Sequence, residues 1–210
     1  YFKPGNVLVF LGDYVDRGPA SKENIDFLLE KKKEFSNQLY LLEGNHEGFR
    51  ILSFLPADFW TGLTENEYEK YNAIVENFPF VFASKQIIAL HGVLPDIKNL
   101  KEVDDITLGS VNWKDICWGD FREDPGKRLM SDFVNRCRPV LGRDWFFEIM
   151  ERLNMQVLIR SHQLNCPELM FDDRCLTIFT SSAYGRKRTI AIYDLQKKIK
   201  TARDLEIVEI

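Results

Sequence analysis

A chain of 210 residues with 45% apolar side chains can bury a sizeable core, which excludes a disordered polypeptide and favours one domain. Its formal charge of −4 and isoelectric point near 5.5 lack the basic surplus with which dedicated nucleic-acid binders neutralise phosphates. Cys117, Cys137, Cys166 and Cys175 show no Cys-x-x-Cys spacing, no stretch reads as a signal peptide, and no apolar run approaches the roughly 20 residues that cross a bilayer, so a soluble cytoplasmic protein with reduced thiols and no membrane partner is expected.

The first apolar run, residues 7–11, predicts a buried strand that stops abruptly at Gly12-Asp13-Tyr14-Val15-Asp16-Arg17-Gly18. Ser21 is the expected cap of a helix over 22–30, with Ile25, Leu28 and Leu29 on one face. A polar turn at 36–38 leads to a second strand, 39–42, which ends at Gly44-Asn45-His46-Glu47. Residues 7–43 therefore read as a right-handed βαβ crossover, a parallel pair with polar loops at the carboxyl ends of both strands, where open α/β sheets build their sites. Residues 47–78 have amphipathic helical character, strongest over 65–78, with Pro56 and Pro79 as punctuation. From Phe80 the pattern changes to short β-branched and aromatic runs, predicting strands at 80–83, 86–90, 156–159, 176–180, 189–193 and 199–201. Between them, 93–140 reads as a long loop-rich segment, followed by an amphipathic helix over 144–151. The basic triplets at 31–33 and 186–188 read as solvated helix or hairpin tips.

All three histidines close a strand-like run: Gly-Asn-His46-Glu, Leu-His91-Gly and Arg-Ser-His162-Gln. With Asp13 and Asn45 they make a donor set of carboxylate, carboxamide and imidazole that suits manganese, iron or zinc, while the lack of thiolate ligands argues against copper(I) and iron–sulfur clusters. Asp13, Asn45, His91 and His162 are the metal-ligand candidates. Hydrolysis of a phosphate ester at neutral pH needs a nucleophilic hydroxide, compensation of the phosphoryl charge and a proton for the leaving alkoxide. Two metal ions roughly 3.5–4 Å apart supply the first two.

The succession Gly-Asp-Tyr-Val-Asp-Arg-Gly, Gly-Asn-His-Glu, His-Gly, Arg-Ser-His-Gln and Thr-Ser-Ser-Ala-Tyr resembles the phosphoprotein phosphatase family of serine/threonine protein phosphatases, within the calcineurin-like metallophosphoesterases, from about residue 5 to residue 195. The resemblance implies an α/β fold, a metallophosphoesterase-type β-sandwich of mixed sheets flanked by helices, as a single catalytic domain over 1–210. It implies two divalent ions, Mn2+ first with iron or zinc as alternatives. Phosphoserine or phosphothreonine proteins or peptides would be the partners, with regulatory subunits left open and no nucleic acid. By the same resemblance Asp13 bridges the metals and Asn45, His91 and His162 bind metal, His162 being grouped with Asp13 at the first ion. His46 would be the general acid, oriented by Asp16, a pairing with independent logic because a carboxylate fixes the imidazole tautomer and raises its pKa. Arg17 would clamp phosphate oxygens with its guanidinium fork. Tyr184 would line the catalytic face, and the second phosphate-gripping arginine would be Arg136, with Arg138 as the alternative.

The chain departs from the family pattern in places. Members carry an earlier Gly-Asp-x-His-Gly strand end, which gives an Asp and a His to the first metal; residues 1–6 contain neither ligand. The first metal site is therefore expected to be two donors short and the sheet to lack a strand, as in part of a longer protein. His91-Gly92-Val93 stands for His-Gly-Gly, and Thr180-Ser181-Ser182-Ala183-Tyr184 for Ser-Ala-Pro-Asn-Tyr. The expected activity is hydrolysis of phosphomonoesters by direct attack of a metal-bound hydroxide. The alternatives are a diadenosine tetraphosphatase-type hydrolase and a catalytically silent binding module.

Overall fold

Parallel pairing of two apolar runs organises the amino-terminal part of the chain. A computed structural model describes residues 3–131 and 138–210. Strands β1 (Leu8–Phe10) and β2 (Leu39–Leu41) pair with Leu8 opposite Leu39 and Phe10 opposite Leu41, joined by helix α1 (Ser21–Glu34). Ile25 and Leu28 of α1 are buried in one cluster with Leu39 and Leu41. Two expectations are corrected here. The side chains of β1 are half-buried, because among the described strands β1 pairs only with β2. Ser21 does not cap α1; the cap position is Ala20, and the Ser21 hydroxyl donates back to the Gly18 carbonyl at 3.3 Å.

Only part of 47–78 is helical: α2 (Asp58–Thr61) and α3 (Glu65–Val75). Residues 47–57 wind through turns because Phe49, Phe54 and Ala57 pack into the same cluster as Trp60, a demand that a straight helix could not meet. Helix α3 starts at a capping box, in which Thr64 and Glu67 each satisfy the other's main-chain N–H.

The remaining elements are β3 (Val81–Ser84), β4 (Ile87–Leu90), a 3-10 turn (Leu100–Asp105), α4 (Val111–Trp118), β5 (Asp120–Phe121), β6 (Arg128–Leu129), β7 (Val140–Leu141), α5 (Arg143–Arg152), β8 (Val157–Arg160), β9 (Leu169–Met170), β10 (Cys175–Thr177), a 3-10 turn (Ser182–Tyr184), β11 (Thr189–Ile192), a 3-10 turn (Ala202–Asp204) and β12 (Glu206–Glu209). Five strands form the main sheet in the order β3-β4-β8-β10-β9, with β4, β8 and β10 parallel and the outer strands antiparallel. Alternation along the strands divides the core. Ile88, Leu90 and Leu158 face Trp113 of α4 and Phe146 and Ile149 of α5, whereas Ile87, Ala89, Val157 and Ile159 face Ile199, Ala202 and Leu205. Burial of both faces explains why these strands read as continuous apolar runs. The result is the mixed-sheet, helix-flanked α/β architecture that the motifs implied.

Segment 93–140 is more ordered than expected, holding α4, a 3-10 turn and the short sheet β5-β7-β6. The strand expected at 199–201 is not formed. Ile199 instead gives and takes main-chain hydrogen bonds with the Gln86 carboxamide, both at 3.2 Å, and Thr201 opens the following 3-10 turn. The partner of β11 is β12, in antiparallel register from Thr189–Glu209 to Ile192–Glu206. Among the described residues no helix is long and apolar enough to cross a membrane.

Candidate metal centre and active site

The parallel strands β1, β2, β4 and β8 all deliver their carboxyl ends to one place. Gly12 and Gly44 permit the closest approach: a Cβ on Gly12 would lie 2.5 Å from Gly44 Cα, and one on Gly44 would lie 2.5 Å from Asp13 Oδ1. Beyond Gly12 the chain adopts left-handed backbone at Asp13 (φ 60°), Asp16 (φ 71°) and Arg17 (φ 63°), as does His162 (φ 70°) after β8. Such conformations persist only where the surroundings hold them.

Glu47, to which the sequence assigned no chemistry, is what holds the first loop. Its buried carboxylate accepts N–H groups from Asp13 (2.8 Å), Tyr14 (2.8 Å) and Gly44 (2.9 Å), tying the loop after β1 to the loop after β2. Burial and the Asp13 charge push the Glu47 carboxyl up, against the pull of these N–H donors. Tyr14 adds a further tie by donating to the Leu42 carbonyl at 2.8 Å.

His91 is at the centre of the donor set. Its Nδ1 donates to the Leu11 carbonyl at 2.5 Å, so in the neutral ring Nε2 carries the lone pair. That lone pair faces His162 Nδ1 at 3.1 Å, Asn45 Oδ1 at 3.3 Å and Asp13 Oδ1 at 3.3 Å. Electron-rich atoms gathered in this way repel one another unless a cation sits among them. Donors about 2.1 Å from one ion are separated by about 3.0 Å in an octahedron and about 3.4 Å in a tetrahedron, so the observed spacing fits a divalent metal. The chemistry agrees. Burial, with the Arg138 charge nearby, holds His162 well below the usual imidazole range and leaves it a neutral donor. Burial would raise the Asp13 carboxyl, but the surrounding histidines outweigh it and hold Asp13 well below the carboxylate range. Donor atoms of Asp13, His91 and His162 all lie within 4.8 Å of one another. His162 faces the same His91 Nε2 as Asn45 and Asp13 do.

Beside this cluster His46 Nδ1 lies 2.7 Å from Asp16 Oδ2, with both side chains buried. The other Asp16 oxygen accepts the Phe59 N–H at 2.8 Å, at the start of α2, and Trp60 Nε1 donates to the His46 carbonyl at 2.8 Å. Phe54 packs edge-on against the imidazole with ring centres 4.6 Å apart. Burial would lower the His46 pKa, but the Asp13, Asp16 and Glu47 carboxylates prevail and raise it.

Arg17 is exposed. Its N–H donates to Asp58 at 2.9 Å and its guanidinium to the Tyr184 hydroxyl at 2.6 Å, so these two predicted residues meet. Arg186, expected in a solvated tip, is half-buried and donates to the Leu164 carbonyl and, at 3.2 Å, to that of Cys166; it seats the Tyr184 segment on the loop that follows His162. Loop carbonyls left without strand partners attract the guanidinium. Arg138 Nη1 lies 3.5 Å from Asp120 Oδ1, which in turn is 3.7 Å from His162 Nε2. Arg136, the other candidate, lies outside the described residues.

An α/β fold with carboxylate, carboxamide and two imidazoles converging at parallel strand tips defines a protein with a candidate metal centre. The calcineurin-like phosphoesterase family model matches residues 1–166, and the chain belongs to that family, whose members use a dinuclear metal centre. Over 202 residues it is 27% identical to serine/threonine-protein phosphatase BSL2 of Arabidopsis thaliana, with 84% of this chain and 19% of that one covered. It is also 27% identical to the "Probable serine/threonine-protein phosphatase" of Encephalitozoon cuniculi, covering 100% of this chain and 48% of that one. The chain thus spans less than half the length of these relatives. Among solved structures, a Saccharomyces cerevisiae protein serine/threonine phosphatase with similarity to human phosphatase PP5 superposes with a TM-score of 0.76 at 19% identity, covering 99% of this chain and 71% of that one. At that identity the likeness establishes the fold.

Proposed function

We propose that residues 1–210 act as one catalytic domain of a metal-dependent serine/threonine protein phosphatase that hydrolyses phosphomonoesters. The observation that carries the reading is the buried His46–Asp16 pair, 2.7 Å apart, beside the four-donor cluster. A module that only bound metal or phosphate would have no use for an oriented proton donor. The named relatives favour phosphoserine and phosphothreonine proteins over dinucleoside polyphosphates as substrates.

Asp13, Asn45, His91 and His162 would hold metal, with Asp13 shared between two ions through its partly exposed carboxylate. Divalent ions there, Mn2+ first with iron or zinc as alternatives, would compensate phosphoryl charge and activate water. Arg17 would receive phosphate oxygens, its hydroxyl partner Tyr184 holding the guanidinium until substrate arrives. Arg138 is the described candidate for the second clamp. Asp16 keeps the His46 proton on Nδ1, so that the protonated ring presents its Nε2–H to the leaving serine or threonine oxygen.

The test is turnover of a phosphoserine peptide, diadenosine tetraphosphate and para-nitrophenyl phosphate, with and without Mn2+. Manganese-dependent turnover of the phosphopeptide is expected to exceed that of the dinucleotide, and the opposite order would shift the reading to a diadenosine tetraphosphatase. His46→Ala should lower phosphopeptide turnover about 10²- to 10⁴-fold while metal content is kept. Unchanged turnover would remove His46 from the mechanism, and no turnover of any substrate by the unsubstituted chain would leave a binding module.

A further inference from the structure

The side chain that follows His162 does the work of a missing strand. Gln163 Oε1 accepts the Phe121 N–H at 2.8 Å, and its Nε2 donates to the Phe121 carbonyl at 2.9 Å. One carboxamide thereby satisfies both main-chain groups of a β5 residue, as a neighbouring strand would. Arg160 sets the orientation of the amide. Its fully buried guanidinium donates to the same Oε1 at 2.9 Å and lies 5.3 Å from the centre of the Phe121 ring. A guanidinium can only donate, so the amide oxygen must face it, and in that orientation alone are both Phe121 groups paired.

The residue before Phe121 is Asp120. Its N–H donates to the Pro139 carbonyl at 2.8 Å, and β5 runs parallel to β7 with Asp120 opposite Val140. Asp120 is buried, with Oδ1 3.5 Å from Arg138 and 3.7 Å from His162 Nε2. That imidazole N–H is itself buried and has no partner within hydrogen-bonding distance, so Asp120 is the group it faces. Ligating histidines generally give their second N–H to a carboxylate or carbonyl, which orients the ring and raises its basicity. Here the carboxylate stands on a strand of two residues, and Gln163 fastens that strand to the loop of the very ligand that Asp120 faces.

We propose that Gln163 is a positioning residue: through Phe121 it sets Asp120 between His162 and Arg138, and so couples the metal-ligand side of the site to its phosphate side. The inference rests on the four-donor reading of the site and not on the reaction. Two variants test it, Gln163→Met, which removes both hydrogen bonds, and Gln163→Glu, which keeps the acceptor toward Arg160 and loses the donor. Calorimetry would measure Mn2+ affinity and the binding of inorganic phosphate to the Mn2+-loaded chain. Gln163→Met is expected to weaken Mn2+ at least about tenfold and phosphate several-fold, with Gln163→Glu between it and the unsubstituted chain. Val75→Ala, in α3, serves as a control that loosens the fold away from the clip.

Wild-type affinities in Gln163→Met, or in Gln163→Glu should the first variant not fold, would overturn the proposal. So would an equal loss of affinity in Val75→Ala at the same drop in thermal midpoint. Failure of the unsubstituted chain to bind Mn2+ would sink the site reading together with this one. Because turnover is not measured, a wrong assignment of the reaction would leave these results untouched.

Discussion

Three residues of the loop after β1 hold a left-handed backbone, at a cost of about 1–3 kcal/mol each, and that cost must be met by contacts beyond the loop itself. Glu47 supplies those at Asp13 and Tyr14, and Asp58 the one at Arg17. Hydrogen bonds to a charged group contribute about 1.5–3 kcal/mol, and Glu47 makes three, so Glu47→Gln should destabilise the fold by at least about 2 kcal/mol in urea unfolding. A carboxamide there would turn its NH₂ toward an N–H it cannot accept; an unchanged midpoint would show that the loop holds itself. Gly44→Ala probes the same contact from the other side. Its Cβ would press on Asp13 N and Oδ1 at 2.5 Å, and Mn2+ affinity should fall at least about tenfold, as read by calorimetry. Retained affinity would mean that the two loops can part without loss of the donor geometry. The donors themselves were legible in the sequence because each ends an apolar strand. Glu47, Asp120, Gln163 and Arg186 were not, since they act largely on main-chain atoms or on residues remote in sequence: Glu47 reaches Asp13 across 34 positions and Gln163 reaches Phe121 across 42. No local pattern marks such a pairing.

At the scale of elements, periodicity worked where an element has one buried face or a fully apolar strand. It located α1, α3, α5 and the strands β4 and β8, and it failed where burial surrounds the element. Helix α4 buries Trp113, Asp115, Ile116, Cys117 and Trp118, which cover more than one face, and its charged Asp115 is paired with Arg128 rather than solvated. The strand expected at 199–201 has the right composition, but Gln86 occupies its main-chain groups, as Gln163 occupies those of Phe121. The signal at α3 was fully local. Thr64-Glu65-Asn66-Glu67 is a capping box in sequence and in structure, and Glu67 also pairs with Lys22 of α1. Thr64→Ala should therefore cost about 1 kcal/mol of stability in urea unfolding. Mn2+ affinity should be unaffected, because the box serves the helix end and none of the donors; a loss of affinity would place α3 in the support of the site.

Across the whole molecule, the donor cluster is a seam. Asp13 and Asn45 follow the two-stranded sheet, His91 and His162 follow the five-stranded one, and the His91–Leu11 hydrogen bond already bridges them at 2.5 Å. A cation held by all four side chains would add a cross-link between the two sheets, and it would bind the folded chain alone, since the unfolded chain does not assemble the site. Mn2+ at one hundred times its dissociation constant should then add about 2.7 kcal/mol of stability. For a domain of this size that raises the thermal midpoint by roughly 5–10 °C, and a chelator should reverse it. The buried thiols offer a second readout. Burial pushes the Cys117 thiol far up and that of Cys175 up to about 12, so neither presents a reactive thiolate until the core opens. Saturating Mn2+ should slow their labelling about a hundredfold where reclosing outpaces the reagent. Asp13→Asn should lose most of both effects, because it removes the charged donor from the amino-terminal sheet. If Mn2+ changes neither midpoint nor labelling rate in the unsubstituted chain, the four donors are not joined by an ion, and the lone pairs around His91 must be reconciled by protonation instead.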